Sequence, residues 1–230
     1  MRNITWVICV GVILVSLRSA AQSGPPKLCK PCLFYGGDLD VTDINSAALS
    51  DENTGTYPDT STYGAVTIPP QHSVLLEGFF FQIIFDGTVK LDPNGVTWEI
   101  RAGMTEGNGG SVVGSGAQSA ILQPTGREGN GPEYTVAVKL RSPIVLNGGT
   151  YWFNITPPCL GKHDPVCATN TYGVSNTTHE ANSFRAFLQP QHQMFINSKV
   201  FGLNWANWCD LANQETCADL SFGLIGKVVE

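Results

Sequence analysis

The sequence predicts an all-β protein, an antiparallel β-sandwich of the jelly-roll or Greek-key kind with at most one or two short helices. Residues 96–101 alternate, with Val96, Trp98 and Ile100 on one face and polar side chains on the other. This period of two is typical of a half-buried strand. The 25 glycines and the low content of charged residues, 14%, also fit a turn-rich β protein.

The strands predicted from alternation or continuous apolar runs are separated by clusters of Gly, Pro, Asn and Asp. Residues 111–123 are expected to form a weaker strand or a pair of strands, and 124–132 a loop. One short helix is expected within 204–220. The other predicted strands are residues 74–85, 96–101, 134–140, 144–146, 150–156, 183–188, 194–201 and 221–229.

The N-terminus has the pattern of a secretory signal peptide. Arg2 precedes an apolar run over residues 4–17, and small residues lead to Ala21. The run is shorter than the roughly 20 residues that a membrane helix requires, so no membrane span is expected after cleavage. We therefore expect a signal peptide over 1–21, an extended acidic segment over 22–62 and one sandwich domain over 63–230. The expected location is extracellular, with the periplasm or cell surface as alternatives.

The charge balance excludes some partners. The net charge is −6, and the predicted signal peptide removes two arginines and no acidic residue, which leaves −8. An acidic surface with few lysines and arginines disfavours nucleic acid and anionic membranes as partners.

Six cysteines follow the predicted signal peptide, and they form three local pairs in the sequence. Six cysteines allow fifteen connectivities, of which local pairing in an oxidising compartment is favoured. Two alternatives remain, namely a redox role for the first pair and a zinc site formed by the second pair with His163. The pairs are Cys29 with Cys32, Cys159 with Cys167, and Cys209 with Cys217.

An acidic stretch near the predicted mature N-terminus is a candidate calcium site. Calcium takes six to eight oxygen ligands, which Asp-rich loops supply. The alternative is a solvated loop in which Asp and Asn form turns without any metal. No other cofactor is expected. The candidate ligands are Asp38, Asp40, Asp43 and Asp51.

A tryptophan-rich segment near the C-terminus is a candidate carbohydrate site. Sugars stack on flat, exposed rings beside amide or carboxylate groups. The alternative is that Trp205 and Trp208 close one end of the sandwich beside a disulfide from Cys209. Trp98 and Trp152 lie in alternating strands and are expected in the core. The candidate ligand-binding residues are Asn204, Trp205, Asn207, Trp208 and Asp210.

Several short, turn-dominated motifs together resemble a group of bacterial exported β-sandwich proteins of unknown function. Some members of that group carry a Pro-Glu-Pro (PEP-CTERM-type) sorting segment at the C-terminus. Here residues 226–230 read Gly-Lys-Val-Val-Glu, so the resemblance implies release or loose retention rather than anchoring. It supplies no active residues. The motifs lie at 35–38, 49–53, 63–65, 98–103, 106–110, 124–127 and 149–152.

No catalytic motif is present in the sequence. The Gly-x-Ser-x-Gly elbow of esterases and the His-Glu-x-x-His helix of metalloproteases are both missing. No catalytic residue is therefore assigned. We expect a structural or interaction protein of the bacterial cell exterior, with an extracellular polysaccharide or other cell-surface proteins as partners. A carbohydrate-binding module is the alternative, and a secreted glycoside-active enzyme is a distant one.

Overall fold

The computed structural model describes residues 23–39, 46–49, 60–85, 92–129, 131–157, 172–177, 184–185, 187–208 and 219–229. The elements in these ranges are all strands. They are β1 (Cys32–Tyr35), β2 (Ser46–Leu49), β3 (Thr60–Ile68), β4 (Ser73–Phe85), β5 (Val96–Ala102), β6 (Ser111–Gln118), β7 (Ile121–Glu128), β8 (Pro132–Leu146), β9 (Gly149–Thr156), β10 (Tyr172–Thr177), β11 (Phe184–Arg185), β12 (Gln189–Ser198), β13 (Leu203–Asn207), β14 (Asp219–Leu220) and β15 (Phe222–Val229).

The strands form two antiparallel sheets, which confirms the predicted sandwich. The nine-stranded sheet runs β11-β1-β15-β4-β10-β14, with β8 pairing β4, β7 pairing β8 and β2 pairing β10. The six-stranded sheet runs β13-β12-β3-β9-β5-β6. Strands β6 and β7 follow each other in the chain but belong to different sheets, so the chain changes sheet at residues 119–120.

The core lies between the two sheets and is rich in phenylalanine. Phe79 of β4 contacts Phe153 of β9 at a ring-centroid distance of 5.4 Å, and Phe81 stacks on Phe222 at 5.1 Å. All four side chains are fully buried. Burying each such ring contributes about 1.5–3 kcal/mol, and the contact of Phe79 with Phe153 joins the two sheets.

Strand β8 corrects two of the sequence predictions. Residues 134–140 and 144–146 were expected as separate strands, but they belong to the single strand Pro132–Leu146. The pairing with β4 shifts register between Leu76 and Gly78, opposite this point. Pro143 has no N–H to donate, and the register shift accommodates it within the strand. The predicted loop over 124–132 is also wrong, because β7 continues to Glu128.

The N-terminal segment joins the sandwich. Strand β1 pairs with β15 and β11, although residues 22–62 were expected to lie outside the domain. The predicted disulfide between Cys29 and Cys32 is confirmed, with a Cα–Cα distance of 4.6 Å. The other four predicted disulfide cysteines, Cys159, Cys167, Cys209 and Cys217, lie outside the described residues.

Within the described residues, every element is a strand, and no helix has the length and apolar character needed to cross a membrane. One short helix was expected within 204–220. Residues 204–207 of that range belong to β13, Trp208 is helical, and residues 209–218 lie outside the described residues, so the helix stays a prediction.

Candidate functional site

A second hydrophobic cluster lies on the outer face of the six-stranded sheet. Tyr63 and Trp152 point away from the main core, because side chains alternate along β3 and β9. They pack with Met104 and Phe195, and Trp205 of β13 covers them. Trp152 was predicted in the core, and it is buried, but within this outer cluster. An aromatic patch on the outside of a sheet is an unusual use of large apolar side chains.

Trp205 has the left-handed backbone conformation, with φ of 49°, and it is the one non-glycine residue with positive φ among the described residues. This conformation is a genuine outlier for a bulky side chain. Three hydrogen bonds fix β13 against the loop over 103–110. Gly107 N donates to Trp205 O at 3.2 Å, Asn204 Nδ2 to Gly107 O at 3.2 Å, and Asn207 N to Glu106 Oε2 at 2.8 Å.

The indole ring of Trp205 lies directly against Gly109. A Cβ atom added to Gly109 would lie 2.4 Å from Cε2 of the ring, a distance that real Cβ atoms do not show. Glycine at this position is therefore required for the contact. The ring of Tyr63 lies 5.5 Å away between centroids, at a tilt of 52°.

Arg101 contacts both the ring of Trp205 and the carboxylate of Glu99. Its guanidinium carbon lies 4.5 Å from the centroid of the Trp205 ring, within cation–π range. Its Nη1 donates to Gly109 O at 2.9 Å, and its Nε forms an ion pair with Glu99. The hydroxyl of Tyr63 donates to the same carboxylate oxygen, Glu99 Oε1, at 3.0 Å.

The electrostatics keep Tyr63 and Arg101 in their ordinary protonation states. Burial raises the pKa of Tyr63 well above its usual value, and the charge of Glu99 raises it further. Burial lowers the pKa of Arg101, but the hydrogen bond and charge of Glu99 outweigh this effect and leave the pKa raised. Because Glu99 accepts from both residues, it holds Tyr63 and Arg101 together beneath Trp205.

Of the five residues predicted for ligand binding, the four that are described do not form one surface. Trp205 packs on the outer cluster, whereas Trp208 packs against the main core between the sheets. Both rings are half-buried, and Asn204 is exposed beside Trp205. Asp210 lies outside the described residues. The prediction of a carbohydrate site is untested, and the structure brings only Trp205, Asn204 and Asn207 to this face.

One of the four predicted calcium ligands is described. Asp38 Oδ1 accepts from Arg127 Nη1 at 2.7 Å and from the hydroxyl of Tyr35, while Oδ2 accepts from Gly24 N at 3.0 Å. Asp40, Asp43 and Asp51 lie outside the described residues. Among the residues that are described, no group of three His, Cys, Asp or Glu side chains is placed to hold a metal ion. The calcium site therefore stays a prediction.

Sequence reasoning missed Tyr63, Glu99, Arg101 and Gly109. The alternation of β5 did place Glu99 and Arg101 on the polar face of their strand. Nothing in the sequence of β5 indicated that Trp205, about a hundred residues away, would cover that face. Such pairings depend on tertiary packing and are invisible to local patterns.

The fold and this site define a β-sandwich protein with an aromatic and ionic cluster on one outer face. No protein-family model matches the chain, and neither the curated proteins nor the solved structures that were compared with it gave a match.

Proposed function

We propose that this chain is an exported, non-catalytic interaction protein of the bacterial cell exterior. It holds its partner on the outer face of the six-stranded sheet, at a surface formed by the half-buried Glu99, Arg101 and Trp205 over the buried Tyr63 and Gly109, here named the Trp205 surface. The observation that carries the proposal is the left-handed conformation of Trp205, φ 49°, fixed by hydrogen bonds on both sides.

A strained backbone of this kind costs of the order of 1–3 kcal/mol, and such outliers cluster at ligand clamps. The strain is offset by the contacts of the ring, which leave it half-buried and fixed in place. A rigid ring loses little conformational entropy on binding.

The residue types of the Trp205 surface are those that dominate binding energy in protein interfaces. Trp205 and Arg101 are half-buried, and Trp and Arg are among the residues most enriched at hot spots. The surface is extended by Val112, which pairs with Arg101 across β5 and β6 and is 49% exposed. A protein-binding patch typically has an apolar centre and a polar rim. Here the apolar side chains are Trp205 and Val112, and the charged side chains beside them are Arg101 and Glu99.

Carbohydrate binding at the same ring is the second candidate. It is favoured by Asn204, which is exposed next to Trp205 and carries an amide of the kind that binds sugar hydroxyls. Against it, Arg101 already lies over the Trp205 ring, and Trp208 packs elsewhere. A sugar would therefore stack on a single, partly covered ring, which makes the interaction proposal the stronger one.

Labelled full-length protein and cell-envelope fractions of the source organism test the proposal. Val112→Asp introduces a charge beside Arg101 without altering a buried residue, and binding should fall about tenfold or more. Val200→Asp is the matched control, because Val200 is also 49% exposed but lies in the turn between β12 and β13. Trp205→Ala is the second variant, with near-UV circular dichroism as the check of folding. Equal binding by wild type, Val112→Asp and Trp205→Ala would overturn the proposal.

Treatment of the envelope fraction separates the two candidates. Protease treatment should abolish binding if the partner is a protein, whereas periodate oxidation should abolish it if the partner is a glycan. Turnover of a glycan or ester by the purified protein, lost on a single carboxylate or serine substitution, would contradict the non-catalytic proposal.

A further inference from the structure

A cleft of about 260 Å³ lies on the opposite side of the molecule, on the outer face of the nine-stranded sheet. Its apolar lining consists of Gly78, Ala137 and the side chains of Leu28, Ile121 and Ile225. Ile121 is 55% exposed, the most exposed large hydrophobic side chain among those described. The volume lies just below the 300–1,000 Å³ typical of drug-sized ligands, so the cleft suits a smaller molecule.

The cleft exists because two β-bulges lie side by side. The pairing of β4 with β8 shifts between Leu76 and Gly78, and the pairing of β4 with β15 shifts between Ile225 and Gly226. A Cβ atom on Gly78 would lie 2.6 Å from Val138 O, so only glycine fits there. Bulges are over-represented beside active sites, where they change the direction of a side chain.

The N-terminal turn that lines the cleft is held by covalent and polar contacts. The disulfide between Cys29 and Cys32 closes the turn that carries Lys30, directly after Leu28, and Cys29 N donates to Pro26 O at 2.8 Å. Gly226 N donates to Pro31 O at 3.1 Å, which ties the turn to β15. The cleft is therefore formed in advance rather than by closure on a ligand.

The charged side chains of the cleft determine which sign of charge its ligand should carry. Lys30 and Lys139 are exposed, and Glu77 is half-buried. None of the three forms an ion pair within the described residues. The cleft thus carries one net positive charge on a protein whose net charge is −6, which makes it a local site for an anion.

We propose that this cleft binds a small amphiphilic anion, a carboxylate or sulfonate attached to a compact apolar body. The apolar body would lie on Ala137 between Ile121 and Ile225, and the anionic group would lie between Lys30 and Lys139. Glu77 would accept a hydrogen bond from a hydroxyl or amine of the ligand. This site is separate from the Trp205 surface, and either can be present without the other.

The probe for the test is 8-anilinonaphthalene-1-sulfonate, which combines an apolar aromatic body with one sulfonate. A fluorescence titration of the full chain should give saturable binding of one probe per protein. Lys30→Glu and Lys139→Glu alter exposed residues, so they should fold normally and should each weaken binding about tenfold. The matched control is Lys227→Glu on β15, also exposed on the nine-stranded sheet, which should change the Kd less than twofold.

N-phenyl-1-naphthylamine isolates the contribution of the anion, because it has nearly the same aromatic body without the sulfonate. It should bind about tenfold more weakly than the sulfonate and should not respond to Lys30→Glu or Lys139→Glu. Three results would each overturn the proposal: non-saturable binding of the sulfonate, a Kd unchanged in both lysine variants, or equal affinity for the two probes.

Discussion

The guanidinium of Arg101 connects the ring of Trp205 to the loop that covers the outer face of the six-stranded sheet. Its carbon lies 4.5 Å from the ring centroid, and its Nη1 donates to Gly109 O at 2.9 Å. A cation–π contact contributes about 0.5–1 kcal/mol at exposed sites and up to about 2 kcal/mol when desolvated. Arg101 therefore stabilises the position of the ring and that of the loop together.

Gly109→Ala tests the contact between the loop and Trp205. The added methyl group would lie 2.4 Å from Cε2, so the ring must move or the loop must lift. Overpacking of this kind costs about 1–3 kcal/mol, and the movement should change the fluorescence and near-UV circular dichroism of Trp205. Urea unfolding measures the difference in the free energy of unfolding.

Gly107→Ala in the same loop is the control for Gly109→Ala. A Cβ atom at Gly107 meets no atom within 4 Å, and only the positive φ of 72° is strained. An unchanged Trp205 spectrum in Gly109→Ala would contradict the contact.

Glu133→Gln tests the buried ionic network on the outer face of the nine-stranded sheet. Glu133 Oε2 accepts from Arg127 Nε at 2.6 Å and from Thr125 Oγ1 at 2.7 Å, and Arg127 also pairs with Asp38. Removing one charge of a buried pair costs about 3–5 kcal/mol. We expect the low end of this range in urea unfolding, because Asp38 still neutralises Arg127.

Glu128→Gln, at an exposed position of the adjacent strand β7, is the control for Glu133→Gln. It should change the free energy of unfolding by less than about 0.5 kcal/mol, as surface substitutions do. Equal effects of the two substitutions would mean that the network contributes nothing to stability.

The sequence predicted the fold well where one strand faces the core on alternate residues. Val96 and Ile100 of β5 are fully buried and Trp98 packs against the same cluster, as the alternation of that strand predicted. Strand β4 matches its prediction to within one residue at its start. In β5 the alternation is sufficient because one face is buried between the sheets. Strand β4 was predicted from a continuous apolar run, and it is buried on both faces, with Phe79 and Phe81 between the sheets and Phe80 against Tyr35.

The candidate site was only partly predictable, because its contacts join distant parts of the chain. Alternation placed Trp152 on one face of β9 but did not show that this face is covered from outside by Trp205. Asp38 was a candidate calcium ligand by composition, yet its carboxylate pairs with Arg127, 89 residues away. Neither the packing of Trp205 on the cluster that contains Trp152 nor the ion pair of Asp38 with Arg127 can be recognised in the local sequence around either partner.

The disulfide between Cys29 and Cys32 should stabilise the N-terminal turn more than the core. A cross-link that closes so short a loop is worth about 2 kcal/mol in the chain-entropy view. Replacing both cysteines by serine should lower the free energy of unfolding by about that amount and accelerate proteolysis between residues 23 and 31. Urea unfolding and limited proteolysis with mass spectrometry measure the two effects. A proteolysis rate equal to that of the wild type would show that hydrogen bonds alone, such as Gly226 N to Pro31 O, hold the turn.

Two buried tyrosines should make the protein lose stability at high pH. Burial raises the pKa of Tyr35 and of Tyr63 far above the ordinary value of 10.0. The folded state therefore holds these protons more tightly than the unfolded state, and their contribution is fully present below pH 10 and lost as the pH rises above it. Each tyrosine should lower the free energy of unfolding by about 1.4 kcal/mol per pH unit in that range.

Urea unfolding at a series of pH values from 9 upwards measures this slope of the free energy against pH. Absorbance at 295 nm should show both phenols ionising only as the protein unfolds. Tyr63→Phe should remove about half of the slope, and two phenols that titrate normally in the folded protein would refute the prediction.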